Sequence, residues 1–381
     1  MQIRSILAAA SAVALAACSD LPSTAPATTP PSPNLSQAQQ AVGGVFVSTN
    51  GIDGNAVVAY ARAADGALTY TGTFATGGLG IGGVADPLFS QFAVALTDNE
   101  KFLLVANAGS HDISSFAVQG GTLTLVDRAS SSGDRPVSVA ISNGYVYALN
   151  QISNTIGVLA IGADGSLTPL PAQTKALAAG TQGAAEVRVS PNGQVLVVTE
   201  RVSNRLATFA IGKGGVLGDP VVTPSAGTAA FGFDFTVRGQ VIVSEAGSGS
   251  ASSYNVSGDG SLSVVSAAAP TLQRAPCWLI VNNSGRFAYT ANAGSATITG
   301  FAIAADGALT LLSETGVSGD LGAGAQPLDL DMSKNGNFLY VLENGTGTVG
   351  TFAVAGDGSL TPLPDTPGLA ARAGYMGLAA Y

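Results

Sequence analysis

The stretch Thr348-Val349-Gly350-Thr351-Phe352-Ala353-Val354-Ala355-Gly356-Asp357-Gly358-Ser359-Leu360 decides the fold. A β-branched apolar run leads into Asp-Gly, where both central positions tolerate positive φ, and a second run opens at Leu360; this is a hairpin. The same signal stands at Asp65-Gly66-Ala67-Leu68, Gly120-Gly121-Thr122-Leu123, Asp164-Gly165-Ser166-Leu167, Gly214-Gly215-Val216-Leu217, Asp259-Gly260-Ser261-Leu262 and Asp306-Gly307-Ala308-Leu309. Its leucines lie 44 to 55 residues apart. Ahead of each turn come further runs of strand character, as in Leu328–Ser333, Phe338–Glu343 and Val349–Val354. Four-stranded repeats of about 40–50 residues are propeller blades. The seven turns across residues 41–381 therefore predict an all-β chain, a seven-bladed β-propeller of four-stranded antiparallel blades. Val45–Asn50 reads as a second strand with no first strand before it, and Tyr375–Tyr381 reads as a first strand. The C-terminal strand is thus expected to complete blade 1 and close the ring.

Composition narrows the function. Of the 381 residues only 10% are charged, and 15 Lys and Arg face 24 Asp and Glu for a net charge of −9. Binding a nucleic acid duplex needs clustered cations to release counterions, so no nucleic acid partner is expected. After residue 17 no apolar stretch reaches the roughly 18 residues of a spanning helix. Met1–Ala17 carries Arg4 and an apolar run that ends in Leu15-Ala16-Ala17-Cys18. That segment resembles a bacterial lipoprotein signal with its lipobox; an ordinary secretory signal with an incidental cysteine is the alternative. The resemblance implies removal of residues 1–17, acylation of Cys18 and attachment to a membrane through that lipid. Ser19, where an inner-membrane retention signal has Asp, favours the outer membrane of a cell envelope. Residues 18–40 then form a lipidated, Pro/Ser/Thr-rich tether and residues 41–381 the propeller. With Cys18 committed to lipid, Cys277 has no partner for an intramolecular disulfide, and it reads as a small core residue.

Phe338-Leu339-Tyr340-Val341-Leu342-Glu343-Asn344, followed by Gly347-Thr348-Val349-Gly350-Thr351-Phe352, resembles the repeat of the YVTN-type propellers; Phe287–Asn292 does the same. The Asp-Gly-x-Leu-Thr turn is most similar to the lactonase branch, which includes 6-phosphogluconolactonases and carboxymuconate-lactonising enzymes. The resemblance implies a seven-bladed ring and, where the catalytic residues are kept, hydrolysis of a small sugar lactone.

One position at the end of the second strand is amide or acid in every repeat: Asn50, Asn107, Asn150, Glu200, Glu245, Asn292 and Glu343. These side chains either cap the following turn or ring the channel mouth as a funnel for a small ligand or a Ca²⁺ ion. Alternation along the strands leaves their direction open. Lactone hydrolysis needs a base and holders for the developing anion, and Glu200 with Arg135 and Arg274 is the best set available. Arg201, Arg205 and Arg372 stand in neighbouring loops, and His111, the single histidine, reads as a loop residue. Active members of the branch resemble one another in a Pro-Arg-His run entering the first strand, yet Ala185 and Glu186 occupy the Arg and His positions here. Two functions follow: a lipid-anchored propeller that binds a small molecule or an envelope protein with its catalytic residues degenerate, or an active lactonase using Glu200.

Overall fold

The structure, a computed structural model, describes residues 41–381; the signal, Cys18 and tether readings fall outside the described residues. Seven antiparallel sheets follow one another along the chain, each running from an inner strand (a) outward to strand d. Blade 4 is representative, with Ala184–Val189, Val195–Glu200, Arg205–Ala210 and Val221–Pro224 as a to d. Blades 3 and 6 add a two-residue strand, Lys175–Ala176 or Gly319–Asp320, that also pairs with strand c. In blade 3 Pro169 and Pro171 explain the break, since proline offers the ladder no N–H.

Closure is as the sequence implies. Leu378–Ala380 pairs antiparallel with Val45–Val47 and becomes strand a of blade 1. Strand b is the buried heart of each blade, fully enclosed along Phe102–Asn107, Val195–Glu200, Phe287–Asn292 and Phe338–Glu343. Its β-branched and aromatic side chains pack against the neighbouring blade on either side.

The recurring turn has an interblade purpose. Tyr340 Oη donates to the Gly66 carbonyl at 3.0 Å, and Tyr289 Oη to that of Gly358 at 2.9 Å. Gly66 and Gly358 have φ of 89° and 86°. A Cβ at either would strike the ring of Phe338 or Phe287 in the adjacent blade. Glycine is therefore required twice, for the turn and for the aromatic ring beneath it.

Strand a runs from the upper face, where the b–c turns and d–a connections emerge, to the lower face, where the a–b and c–d turns lie. The inner strands face a central channel.

Candidate functional site

The amide and acid positions at the ends of strand b are all buried, at 0–2% exposure. Each except Asn50 is paired in register with the first residue of strand c, five residues on, and bonded to it. Asn107 donates to Asp112 (2.7 Å), Asn150 to Thr155 (3.4 Å) and Asn292 to Thr297 (3.1 Å). Glu200 accepts from Arg205 (2.5 Å), Glu245 from Ser250 (3.1 Å) and Glu343 from Thr348 (2.6 Å). Asn50 instead holds Ile81 N–H and the carbonyls of Gly82 and Gly374. Asn50 apart, these side chains fasten the b–c hairpin of their own blade and, in several blades, the d–a connection beside it. Glu245, for example, also accepts from Ser225 Oγ and Gly227 N–H. Among the described residues no group of three or more His, Cys, Asp or Glu is arranged to hold a metal ion.

Glu200 is fully buried and accepts from Thr181, Ser203 and Arg205. Arg135 sends Nη2 to the Pro87 carbonyl at 3.0 Å, and its backbone N–H donates to His111 Nδ1 at 2.9 Å. His111 and Arg135 thus share a wall of an upper-face cavity of about 240 Å³ with Ile81 and Ile152. Arg274 and Arg372 are exposed, and Arg201 lies over the Phe89 ring at 4.8 Å. The structure brings Glu200 to Arg205, and Arg135 to His111.

The upper end of the channel is filled by the chain itself. Between Leu68–Ala75 and Val94–Leu96 the connection is long, and residues 86–92 enter the ring. Gln91 exchanges two bonds with Leu279 (2.8 and 2.9 Å), and its N–H donates to the Ala185 carbonyl. Ser90 Oγ donates to Val137, Trp278 Nε1 donates to the Ser90 carbonyl, and Phe92 N–H reaches Asp329. Partners on the inner strands of blades 3, 4, 6 and 7 can be met together only from the axis. Asp86, Phe89 and Phe92 all have positive φ, a strained state held by these bonds. Sequence reading missed this plug; the length of the connection was its only signal.

Beneath it lies a layer of charge. Glu186 and Arg188 in blade 4, Asp234 in blade 5, and Asp329 and Asp331 in blade 7 are electrostatically coupled. The carboxylates bind backbone N–H groups of the next inner strand: Glu186 takes Phe233, Asp234 takes Val281, Asp329 takes Leu378 and Asp331 takes Ala380. Blades share no sheet hydrogen bonds, so these side chains join them. Glu186, at the position where the resemblance implied His, keeps Oε1 buried without a partner. Burial pushes its carboxyl well above the ordinary range.

Burial also raises Asp329 to about 8 and Asp331 to about 7. Each then binds its proton more tightly folded than unfolded, so its contribution to stability is complete in acid. It is lost as pH rises from the ordinary 3.8 through the folded values. One such group costs about 1.4 kcal/mol per pH unit inside that window. The melting temperature should therefore be higher near pH 5.5 than near pH 8.5, and Asp329→Asn should flatten the dependence. A melting temperature that stays level over this interval would mean that both are ionised throughout.

A family model described as "Lactonase, 7-bladed beta-propeller" matches residues 54–180, 171–246 and 241–364. A 6-phosphogluconolactonase of Sodalis glossinidius is 31% identical over 100 residues, which cover 25% of this chain and 30% of that protein. One from Serratia proteamaculans is 29% identical over 97 residues, covering 25% and 29%. The matches thus span under a third of these relatives. The periplasmic gluconolactonase PpgL of Pseudomonas aeruginosa superposes with a TM-score of 0.68 at 18% identity, covering 89% of this chain and 98% of that one. A Lactobacillus plantarum protein gives 0.70 at 18%, covering 89% and 99%. The superpositions show the fold, and with a family model running through nearly all seven blades, the chain belongs to the seven-bladed β-propeller lactonase family.

Proposed function

We propose that this protein is a lipid-anchored propeller of the cell envelope that binds a partner and has lost lactone hydrolysis. The observation that carries the reading is the plug: residues 86–92 stand at the upper channel mouth, where the inner strands would otherwise receive a small substrate. Three further features support it. Glu200 is enclosed and bonded to Arg205, so its lone pairs are engaged where a general base needs one free toward water. Ala185 and Glu186 replace the Arg and His that the family resemblance implies. Exposed apolar side chains gather on the upper face, among them Ile52, Val84, Phe89, Ile152 and Val202. Such groups on an otherwise soluble surface mark an interaction site.

Hydrolysis of 6-phosphogluconolactone tests the reading, because relatives are named for it. The purified protein should give no saturable rate above spontaneous hydrolysis, with or without Ca²⁺, and Glu200→Gln should behave as wild type. A saturable rate that falls roughly 10²–10⁴-fold in Glu200→Gln, the span of a general base, would restore the alternative of an active lactonase. Anchoring has its own test. Cys18→Ala should abolish incorporation of labelled fatty acid, and wild-type protein isolated with an unacylated N-terminus would remove the lipid from the proposal.

A further inference from the structure

The upper-face cavity of about 240 Å³ beside the plug is lined by Ile81, Ala108, Gly109, His111, Arg135 and Ile152. Its walls are mostly apolar, no acid stands among them, and neither Glu200 nor Arg274 reaches it. Backbone bonds fix those walls. Ile81 N–H donates to Asn50 Oδ1 at 3.0 Å and Gly109 N–H to the Leu79 carbonyl at 2.8 Å. Gln151 and Ile152 N–H donate to the Arg135 and Asp134 carbonyls at 2.9 and 3.2 Å. A preformed apolar hollow with a few convergent polar groups is the usual form of a small-molecule site.

Arg135 brings to this hollow a charge that nothing answers. Its Nη2 donates to the Pro87 carbonyl, a neutral acceptor. Its Nε is buried without a hydrogen-bond partner, and among the described residues no carboxylate forms an ion pair with it. His111 adds a second donor. Its Nδ1 accepts the Arg135 backbone N–H, so the neutral ring carries its proton on Nε2, and among the described residues no group accepts that proton. Neither side chain is demanded by the backbone. His111 and Arg135 stand at left-handed steps, with φ of 62° and 64°, that recur around the ring. The step before strand a is Gly183, Ala229, Ala275 and Gln326 in blades 4 to 7; the step before strand c is Asn154, Asn204, Gly249 and Ala296 in blades 3 to 6. Here alone an imidazole and a guanidinium take those places together.

We infer that this cavity binds a short aliphatic carboxylate, its oxygens on the Arg135 guanidinium and the His111 Nε2–H and its hydrocarbon against Ile81, Ala108 and Ile152. One guanidinium and one neutral imidazole match a single negative charge. A phosphate dianion, with more oxygens to satisfy, would find no second cation on the wall. A cation would meet Arg135. The volume has room for about eight waters at ~30 Å³ each, the count of heavy atoms in an acid of six carbons.

A free acid and the C-terminal residue of a polypeptide present the same chemistry to the site, and the experiment separates them. The inference rests on the binding reading above and names its ligand class. It fails separately from that reading, because the hydrolysis assay decides the one and calorimetry decides the other.

The test titrates the full protein in detergent with 4-methylpentanoate by calorimetry. Saturable binding is expected. Acetate, which lacks the stem, and 4-methylpentan-1-ol, which lacks the charge, should each bind about tenfold more weakly or worse. Arg135→Gln and His111→Asn should each weaken binding roughly 10–100-fold, the worth of one charged hydrogen bond. Both replacements already occupy these left-handed steps elsewhere in the ring, as Gln326 and Asn154. His111→Asn also leaves the Arg135 bond to Pro87 in place, so it keeps the test decisive where Arg135→Gln loosens the plug. A peptide ending in leucine that binds more tightly than 4-methylpentanoate, and loses binding when amidated, makes the ligand a chain end; weaker binding of that peptide makes it a free acid. Absence of saturable binding by both overturns the inference. So does equal binding of the alcohol or of inorganic phosphate, or wild-type affinity in folded His111→Asn.

Discussion

Removing Tyr375–Tyr381 should abolish cooperative melting. The segment buries Met376, Leu378 and Ala379 almost completely, and a fully buried Leu or Met is worth roughly 1.5–3 kcal/mol. Its loss also strips donors from buried acids, because Leu378 N–H serves Asp329 and Ala380 N–H serves Asp331. Arg62 Nε loses the Tyr381 carbonyl at 2.9 Å, and Phe46 loses the stacked Tyr381 ring. Together these exceed a large part of the 5–15 kcal/mol that holds a typical protein folded. Calorimetry and circular dichroism should show a broad, early transition with raised aggregation. A truncated chain that melts as one sharp transition near the parent temperature would show that the ring closes without its clasp.

Arg205→Ala should be the most damaging single substitution near the b–c turns. Glu200 is 0% exposed, and the pair is held at 2.5 Å with Arg205 only 19% exposed. Removing one partner of a buried pair leaves an uncompensated charge and costs about 3–5 kcal/mol. Glu200→Gln should cost less, since the amide still accepts from Thr181 and Ser203. Combining the two should be milder than Arg205→Ala alone, the signature of a coupled pair. Chemical denaturation measures all three. A loss of under about 1 kcal/mol in Arg205→Ala would place the pair with ordinary surface ion pairs.

The blades were legible because their turns have a steric requirement. Gly66 and Gly358 take positive φ while the Asp65 and Asp357 before them do not, and nothing larger than glycine fits above Phe338 and Phe287. The closing strand could be read because Val45 and Tyr381 lie at opposite ends of a count that needed one strand moved. The amide and acid positions could be placed at the ends of strand b but not aimed. Whether Asn107 or Glu343 turns to the channel or to its own hairpin is set by the cross-strand pair at Asp112 or Thr348, which alternation does not reveal. The plug left only the length of its connection as a trace, since residues 86–92 have no periodicity and are fixed by partners more than 40 residues away, such as Val137 and Leu279. The channel acids were hidden differently. Asp234, Asp329 and Asp331 alternate with apolar residues as any half-exposed strand would, and only the closed ring turns their outward face into an interior.

Closure also has a schedule. Val45–Val47 leaves the ribosome about 330 residues before Leu378–Ala380, the strand it must pair with. At 5–20 residues per second that is a delay of roughly 20–70 s, far longer than a hairpin needs to form. Blades can therefore assemble while the inner edge of Gly43–Ser48 still waits, apolar and unpaired. Such an edge recruits whatever strand arrives first, and a chain with so few charges has little to repel a second copy. The hazard is one of timing: the first strand made is the last to be satisfied, and crowding of nascent chains during that interval governs how many reach the closed ring.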